Sequence, residues 1–225
     1  MSLDINVDIG EGFPFDEALL GIATSASVCC GVHAGSPELT EQTVGLCRQH
    51  GVRLGAHPGF PDREGMGRRL PSLGDAPEWF RSVREQTKVF ISSYHPTYIK
   101  PHGALYNLLA GGSNAPVELV AFGVSYADFL ANLGIPVMLL PVSPIAQRLD
   151  SLGLLIKEGF ADRAYTEDGR LLSRTLPGAV LEDREAVINQ VRLLATKVDS
   201  ICIHGDTPDC LNLAHLVRQA LGGDQ

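Results

Sequence analysis

The fold prediction rests on the stretch Ile99-Lys100-Pro101-His102-Gly103-Ala104-Leu105-Tyr106-Asn107, because the same pattern of residues recurs along the chain. A short β-prone run, 97–99, is followed by a lysine, a histidine and a glycine, and then by the start of a helix. Three other apolar runs are followed in a similar way by His33, His57 and His204, with glycine nearby. Glycine lets the backbone turn sharply or approach a ligand closely. Such junctions are typical of the carboxyl ends of strands in α/β barrels and open α/β sheets, where these folds bind ligands.

Segments with strand and helix periodicity alternate along the chain. Residues 3–9 alternate apolar and polar side chains, which predicts a strand, and the spacing over 76–94 predicts a helix. Ser36 followed by Pro37 predicts another helix start. The apolar runs 52–54 and 154–156 predict two further strands, residues 167–179 predict a loop or hairpin, and Thr207 followed by Pro208 predicts the start of the last helix. Six or seven β–α units of this kind favour a mostly parallel α/β sheet in one domain, residues 1–225. A closed or nearly closed barrel best explains how polar residues from the first to the last unit would converge.

The composition is that of a soluble globular protein. Of the 225 residues, 44% are hydrophobic and 20% are charged, and the net charge of −8 disfavours nucleic acid or an anionic membrane as a partner. No apolar run approaches the roughly 18 residues of a transmembrane helix, and the first residues lack a signal-peptide pattern. The five cysteines include no Cys-x-x-Cys motif and are odd in number, which indicates free thiols and predicts a cytoplasmic location.

Acidic, basic and imidazole side chains gather at the predicted strand ends. The candidate site residues are Asp8, Glu11, His33, His57, Arg68, Lys100, His102, Asp162, Arg163, His204 and Asp206. Carboxylates and imidazoles exchange protons with water and with a leaving group. Lysine and arginine stabilise an oxyanion or hold a carboxylate. The set therefore favours acid–base hydrolysis.

Two other chemistries stay open. Histidines and carboxylates contributed one per strand could hold a zinc-like or manganese-like divalent metal, although His-x-x-x-His and His-Glu-x-x-His pairs are absent. A serine or cysteine nucleophile is less favoured, because Cys29 and Cys30 lie in an apolar run and no Gly-x-Ser-x-Gly motif is present. The sequence also lacks a Gly-x-x-x-x-Gly-Lys-Ser/Thr loop, so we expect a partner chain to bind any ATP.

Seven motifs, in this order and spread over nearly the whole chain, resemble the LamB/YcsF family. They are DINVDIGEG (4–12), SASVCCGVHAGSP (25–37), GAHPGFPDREGMGRR (55–69), KPHGALYN (100–107), FADRAYTEDGRLLSR (160–174), PGAVLED (177–183) and ICIHGDTP (201–208). The resemblance implies a seven-stranded (β/α) barrel, a distorted TIM-like barrel similar to that of polysaccharide deacetylases. It also implies ATP-dependent hydrolysis of the lactam 5-oxo-L-proline to L-glutamate by a 5-oxoprolinase, in which this chain works with two partner subunits, B and C.

The resemblance also implies roles for the candidate residues. The expected catalytic residues are Asp8, Glu11, His57, Lys100, His102 and His204. The expected substrate-binding residues are His33, Arg68, Asp162, Arg163 and Asp206. In this hypothesis the partner subunits activate the lactam carbonyl by phosphorylation. Lys100 or Arg163 then holds the substrate carboxylate, and Asp8 or a histidine directs water.

The chain departs from the family pattern near His33. Ser27 stands where the family usually has asparagine, and Ser36 where it usually has aspartate, which puts the identity of the substrate in question. Two alternative functions stay open: a stand-alone metal-dependent deacetylase or amidohydrolase, and a non-catalytic regulatory subunit that binds a small acid.

Overall fold

Seven parallel strands close into a barrel, and helices connect them on the outside. A computed structural model of the chain describes residues 3–112, 114–174, 176–206 and 209–222. The strands are β1 (Asp4–Ile9), β2 (Ser25–Cys29), β3 (Arg53–His57), β4 (Tyr98–Ile99), β5 (Val137–Leu139), β6 (Leu155–Phe160) and β7 (Ser200–His204). The helices are α1 (Asp16–Leu20), α2 (Pro37–Gln49), α3 (Ala76–Tyr94), α4 (Gly103–Leu109), α5 (Val117–Leu133), α6 (Pro144–Ser151), α7 (Arg184–Leu194) and α8 (Cys210–Ala220). This architecture confirms the predicted fold class.

The strand register brings the ends of distant segments together. Neighbouring strands pair in chain order, and β7 pairs with β1 to close the barrel. Asp8 on β1 is in register with Ser27 on β2 and with His204 on β7. Because all the strands are parallel, their carboxyl ends meet at one rim of the barrel. The side chains that follow those ends therefore converge there.

The side chains of each strand alternate between the helices and the barrel interior. Val7, Val28 and Ile201 are fully buried members of the apolar core. Burying an aliphatic side chain of this size contributes about 1.5–3 kcal/mol. The alternate positions, including Asn6 and Asp8, point into the barrel.

Polar side chains fill the middle of the barrel. Asn6 Nδ2 donates to the hydroxyl of the fully buried Tyr98 at 2.7 Å, and Ser27 Oγ lies 3.3 Å from the same hydroxyl. The Tyr98 ring reaches this position because Gly55 has no side chain; a Cβ at Gly55 would overlap the ring. Ser27 therefore bonds within the barrel interior, away from His33. The interior is a packed polar core rather than a pore.

The observed elements extend or sharpen several predictions. Ser36 accepts a hydrogen bond from Leu39 N at 3.2 Å and caps α2, which confirms the predicted helix start. Strand β3 continues to His57, beyond the predicted run 52–54, because His57 pairs with Cys29 of β2. Thr207 and Pro208, the predicted start of the last helix, lie outside the described residues. None of the described helices is long and apolar enough to cross a membrane.

Candidate active site

An ion pair centred on a lysine lies inside the barrel, beneath its carboxyl rim. The Lys100 side chain is only 2% exposed, and its Nζ atom lies 2.8 Å from Asp8 Oδ1 and 2.7 Å from Glu158 Oε1. It also donates to Asn6 Oδ1 at 3.2 Å and to Cys202 Sγ at 3.0 Å. Burial alone would lower the pKa of Lys100, but Asp8, Cys202 and Glu158 together outweigh burial and hold that pKa well above its ordinary value. Lys100 is therefore a charged member of the barrel interior.

This placement changes the role expected for Lys100. An ammonium group has three N–H donors, and four side chains already contact it within 3.2 Å. Lys100 thus orients Asp8, and it is poorly placed to hold a substrate carboxylate. Burial would raise the pKa of Asp8, but the neighbouring His57 and Lys100 hold it well below its usual range. Asp8 therefore stays ionised at the edge of the cleft.

Glu158, Asn6 and Cys202 belong to this group, although they are not among the residues chosen from the sequence. The predicted strand 154–156 ends before Glu158, whereas β6 continues through it to Phe160. Glu158 is fully buried. The alternation of strand side chains could have found Asn6, because it lies on the same strand face as Asp8.

Two histidines face each other beside Asp8. His57, at the end of β3, and His102, just before α4, bring their Nε2 and Nδ1 atoms to 2.9 Å from each other. The other ring nitrogens lie against backbone carbonyls: His57 Nδ1 is 2.7 Å from Lys100 O, and His102 Nε2 is 2.8 Å from Met66 O. A carbonyl oxygen only accepts, so these outer nitrogens carry the protons. The facing nitrogens are therefore the ones left to bind a proton or another cation.

Glu11 and His33 complete this cluster. Glu11 Oε1 lies 3.3 Å from His102 Nδ1 and 3.3 Å from His33 Nε2. The His33 ring stacks on the His102 ring, with centroids 3.9 Å apart and planes 4° apart. Burial holds the pKa of both histidines well below its ordinary value, which keeps both rings neutral near pH 7. Gly59 makes room for the stack, since a Cβ there would lie 2.5 Å from His33 Nδ1.

Two groups of described side chains carry the donor atoms of a metal site. One consists of Glu11, His33, His57 and His102, and the other of Asp8, Cys202 and His204; within each group the ligand atoms lie within 4.8 Å of one another.

His204 lines the same cleft at the end of β7, in register with Asp8 on β1. Its Nδ1 atom lies 3.5 Å from Asp162 Oδ1, and its ring stacks on Phe160 with centroids 5.3 Å apart. Burial would raise the pKa of Asp162, but His204 and Arg174 together outweigh burial and lower that pKa. An ionised carboxylate beside one ring nitrogen leaves the other nitrogen of His204 on the far edge of the ring, as in a base and its orienting group.

Two arginines share one carboxylate at the mouth of the cleft. Arg68 Nη2 lies 2.5 Å from Asp206 Oδ2, and Arg174 Nη1 lies 3.2 Å from the same oxygen. The arginine side chains are 40% and 33% exposed. Arg174 was not selected from the sequence, because it lies in a segment without periodicity. Two guanidinium groups on one carboxylate leave a positive charge available to an incoming anion.

Arg163 has contacts that differ from its expected role. Its Nε donates to Ala179 O at 3.2 Å and its Nη2 to Leu172 O at 2.6 Å. The backbone of Arg163 also forms an isolated antiparallel β-bridge with the backbone of Val180. Such a bridge is consistent with the loop or hairpin predicted after β6. The guanidinium is therefore used to hold this segment over the cleft.

A cleft of about 350 Å³ joins these groups. Its floor includes Asp8, Glu11, His57 and His102, and its mouth includes Arg68 and Arg174. His33 lies behind His102, and Asp162 behind His204. The structure thus brings all eleven candidate residues into or directly against one cleft.

The closed barrel and its cleft define a β/α-barrel protein with acidic, basic and imidazole side chains gathered in one cleft. The chain belongs to the LamB/YcsF family, whose model matches residues 3–225. It is 39% identical over 241 residues to the 5-oxoprolinase A-subunit of Gluconobacter oxydans, covering 96% of this chain and 93% of the relative. It is 37% identical over 244 residues to the 5-oxoprolinase A-subunit of Mycobacterium avium, covering 97% and 94%.

Solved structures agree with the barrel fold. The lactam utilization protein from Thermus thermophilus superposes with a TM-score of 0.75 at 29% identity, covering 99% of this chain and 96% of that protein. A putative cellobiose-phosphate cleavage protein from Enterococcus faecalis superposes with a TM-score of 0.56 at 13% identity, covering 98% and 93%, and shows similarity of fold alone. The expected likeness to polysaccharide deacetylases stays a prediction.

Proposed function

We propose that this chain is the A-subunit of an ATP-dependent 5-oxoprolinase and that its cleft hydrolyses the lactam of 5-oxo-L-proline to L-glutamate. In this proposal it works with two partner subunits, B and C. One observation carries the proposal. The cleft has acids and imidazoles at its floor and two arginines at its mouth, in a chain whose relatives, matched over nearly their whole length, are named as 5-oxoprolinase A-subunits.

The size and charge of the cleft suit this substrate. A volume of about 350 Å³ is at the small end of the range for small-molecule sites. The substrate has one carboxylate and one ring amide. Arg68 and Arg174 would bind the carboxylate at the mouth. The lactam carbonyl would then lie deeper, towards Asp8 and the histidines.

His204 is the proposed proton acceptor for the attacking water. It lines the cleft, and the ionised Asp162 stands 3.5 Å from its Nδ1 atom. That separation is longer than a hydrogen bond, and contacts of this kind often tighten when substrate binds. Asp162 would orient the ring and stabilise the imidazolium that forms.

ATP enters the proposal as a co-substrate that drives the reaction. A five-membered lactam is unstrained and resists hydrolysis, so coupling to ATP would help to drive ring opening. We assign ATP binding to the partner subunits, because this sequence has no Gly-x-x-x-x-Gly-Lys-Ser/Thr loop.

The test is glutamate release from 5-oxoproline and ATP by a mixture of the three subunits, with this chain present or omitted. The proposal expects release only in the complete mixture. Release by this chain alone, from an amide substrate and without ATP, would instead support a stand-alone amidohydrolase. A chain that stimulates partner ATPase activity, and whose cleft variants all keep full turnover, would be a regulatory subunit.

A further inference from the structure

We propose that Glu11, His57 and His102 bind one divalent transition-metal ion of the zinc class at the floor of the cleft. The first observation is the 2.9 Å separation of His57 Nε2 and His102 Nδ1. Both rings have their other nitrogen against a backbone carbonyl, and the two facing nitrogens also approach Glu11 Oε1, which lies 3.9 Å from His57 Nε2 and 3.3 Å from His102 Nδ1. Three donor atoms therefore converge on one point, where a single cation can contact all of them.

The backbone carbonyls are a second observation. Histidines that bind metals almost always donate the other ring N–H to a carbonyl or carboxylate, which fixes the tautomer and aims the free nitrogen at the ion. His57 and His102 both have such a partner, Lys100 O and Met66 O. Met66 has a φ of 50°, a left-handed conformation that is uncommon for a residue with a side chain. The chain thus adopts an unfavourable backbone conformation where the Met66 carbonyl meets His102.

The balance of buried charge is a third observation. Asp8, Glu11 and Glu158 are three buried carboxylates, and Lys100 pairs with Asp8 and Glu158. The Glu11 side chain is 5% exposed, and its ion-pair contacts within the described part of the chain are to histidines. A buried carboxylate without a cation is costly. A dication offsets both excess negative charges of these four side chains, whereas one shared proton offsets only one.

Ring geometry selects the ligands. The planes of His33 and His102 are 4° apart in a stack, so one ion cannot lie in the planes of both rings. The His57 ring is turned by 84° from His102, and this restriction does not apply to it. His33 is therefore a neighbour of Glu11 rather than a ligand. Two imidazoles and one carboxylate suit zinc-class ions, and three protein ligands facing a cleft are typical of catalytic sites.

The second group of donor atoms is a weaker candidate. Cys202 Sγ lies 3.0 Å from Lys100 Nζ, and Asp8 Oδ1 lies 2.8 Å from it. A metal ion bound to Asp8, Cys202 and His204 would therefore lie close to the ammonium group and be repelled by it.

The experiment uses the full chain stripped of metal with a chelator. Isothermal titration with Zn²⁺ and visible absorption with Co²⁺ measure binding. We expect one ion per chain. We expect His57→Gln and His102→Gln each to weaken Zn²⁺ binding by more than the roughly 10- to 100-fold typical of a lost outer-shell partner. His33→Gln should weaken binding by at most about 10-fold, and the exposed control His50→Gln should leave it unchanged. Zn²⁺ should also raise the melting temperature of the wild type.

Three results would overturn the proposal. One is the lack of saturable binding by a folded wild-type chain. Another is wild-type affinity in folded His57→Gln and His102→Gln. The third is a sulfur-to-cobalt charge-transfer band that Cys202→Ser removes, which would place the ion on the other group. Failure of this proposal is distinguishable from failure of the proposed function. Glutamate release by a metal-free complex would show that the lactam reaction takes place without the ion.

Discussion

Lys100 and Glu158 form an ion pair inside the barrel, with Nζ and Oε1 2.7 Å apart. Lys100 follows β4 and Glu158 lies in β6, two strands that do not pair with each other because β5 lies between them. The contact therefore links separate parts of the barrel wall just below the cleft. It also holds Lys100 in contact with Asp8, so the charge that orients Asp8 depends on an acid from another strand.

Removing Lys100 should destabilise the fold strongly. Lys100→Met leaves Asp8 and Glu158 buried without their ammonium partner, and breaking a buried pair in this way costs about 3–5 kcal/mol. Urea denaturation gives the free energy of unfolding. The exposed Lys88→Met is the control and should change it little. Equal stability of the two variants would show that the buried pair contributes nothing to the barrel.

Gly59 should be intolerant of a methyl group. The added Cβ in Gly59→Ala would lie 2.5 Å from His33 Nδ1, so the stack of His33 on His102 must shift. Overpacking of this kind costs about 1–3 kcal/mol. Gly45→Ala is a matched control in α2, because a Cβ at this position meets no atom within 4 Å. This substitution should stabilise the helix by roughly 0.5–1 kcal/mol. Thermal unfolding should therefore show opposite shifts, and a stabilised Gly59→Ala would contradict the packing described.

The strand ends could be predicted from the sequence because their periodicity and their glycines are local features. His57 and His102 were found in this way, and the structure places them 2.9 Å apart. Glu158 was missed because the length of β6 depends on its pairing with β7, where Phe160 is in register with Cys202. Such pairing is a long-range property that local composition does not report.

The roles of the arginines were less predictable than their positions. Arg163 is predicted to hold a substrate, and it lines the cleft, but two of its N–H donors bond to the carbonyls of Leu172 and Ala179. The residue type alone does not show whether a side chain bonds to backbone carbonyls. Arg174 reaches the mouth only because its segment folds back over the cleft, a consequence of tertiary contacts such as the bridge between Tyr165 and Leu171.

Arg68 and Arg174 should determine affinity for the substrate carboxylate. In the three-subunit assay we expect Arg68→Gln and Arg174→Gln to raise the KM for 5-oxoproline by about 10-fold each, the effect of losing one charge-assisted hydrogen bond. Little change in kcat is expected, because the two guanidinium groups would hold the substrate carboxylate and not the attacking water. Arg81→Gln, a control at an exposed position, should behave as wild type. An unchanged KM in the Arg68→Gln, Arg174→Gln double variant would move carboxylate binding elsewhere.

Asp162 should contribute a pH-dependent part of the stability. Its pKa is lowered from 3.8, because His204 and Arg174 together outweigh the opposing effect of burial. A carboxyl with a lower pKa in the folded state stabilises the fold above the unfolded pKa and loses that contribution as the pH falls through the folded pKa. The difference in unfolding free energy between wild type and Asp162→Asn should therefore shrink as the pH falls below about 4. A difference that keeps growing below about pH 4 would contradict the pairing.

The central claim is that lactam hydrolysis takes place in the cleft of this chain. The most direct measurement is kcat for glutamate release from 5-oxoproline and ATP by the three-subunit complex containing His204→Ala. Loss of a general base should lower kcat by about 10²- to 10⁴-fold, while the variant keeps its fold and its place in the complex. A folded, assembled His204→Ala complex with wild-type kcat would contradict the account.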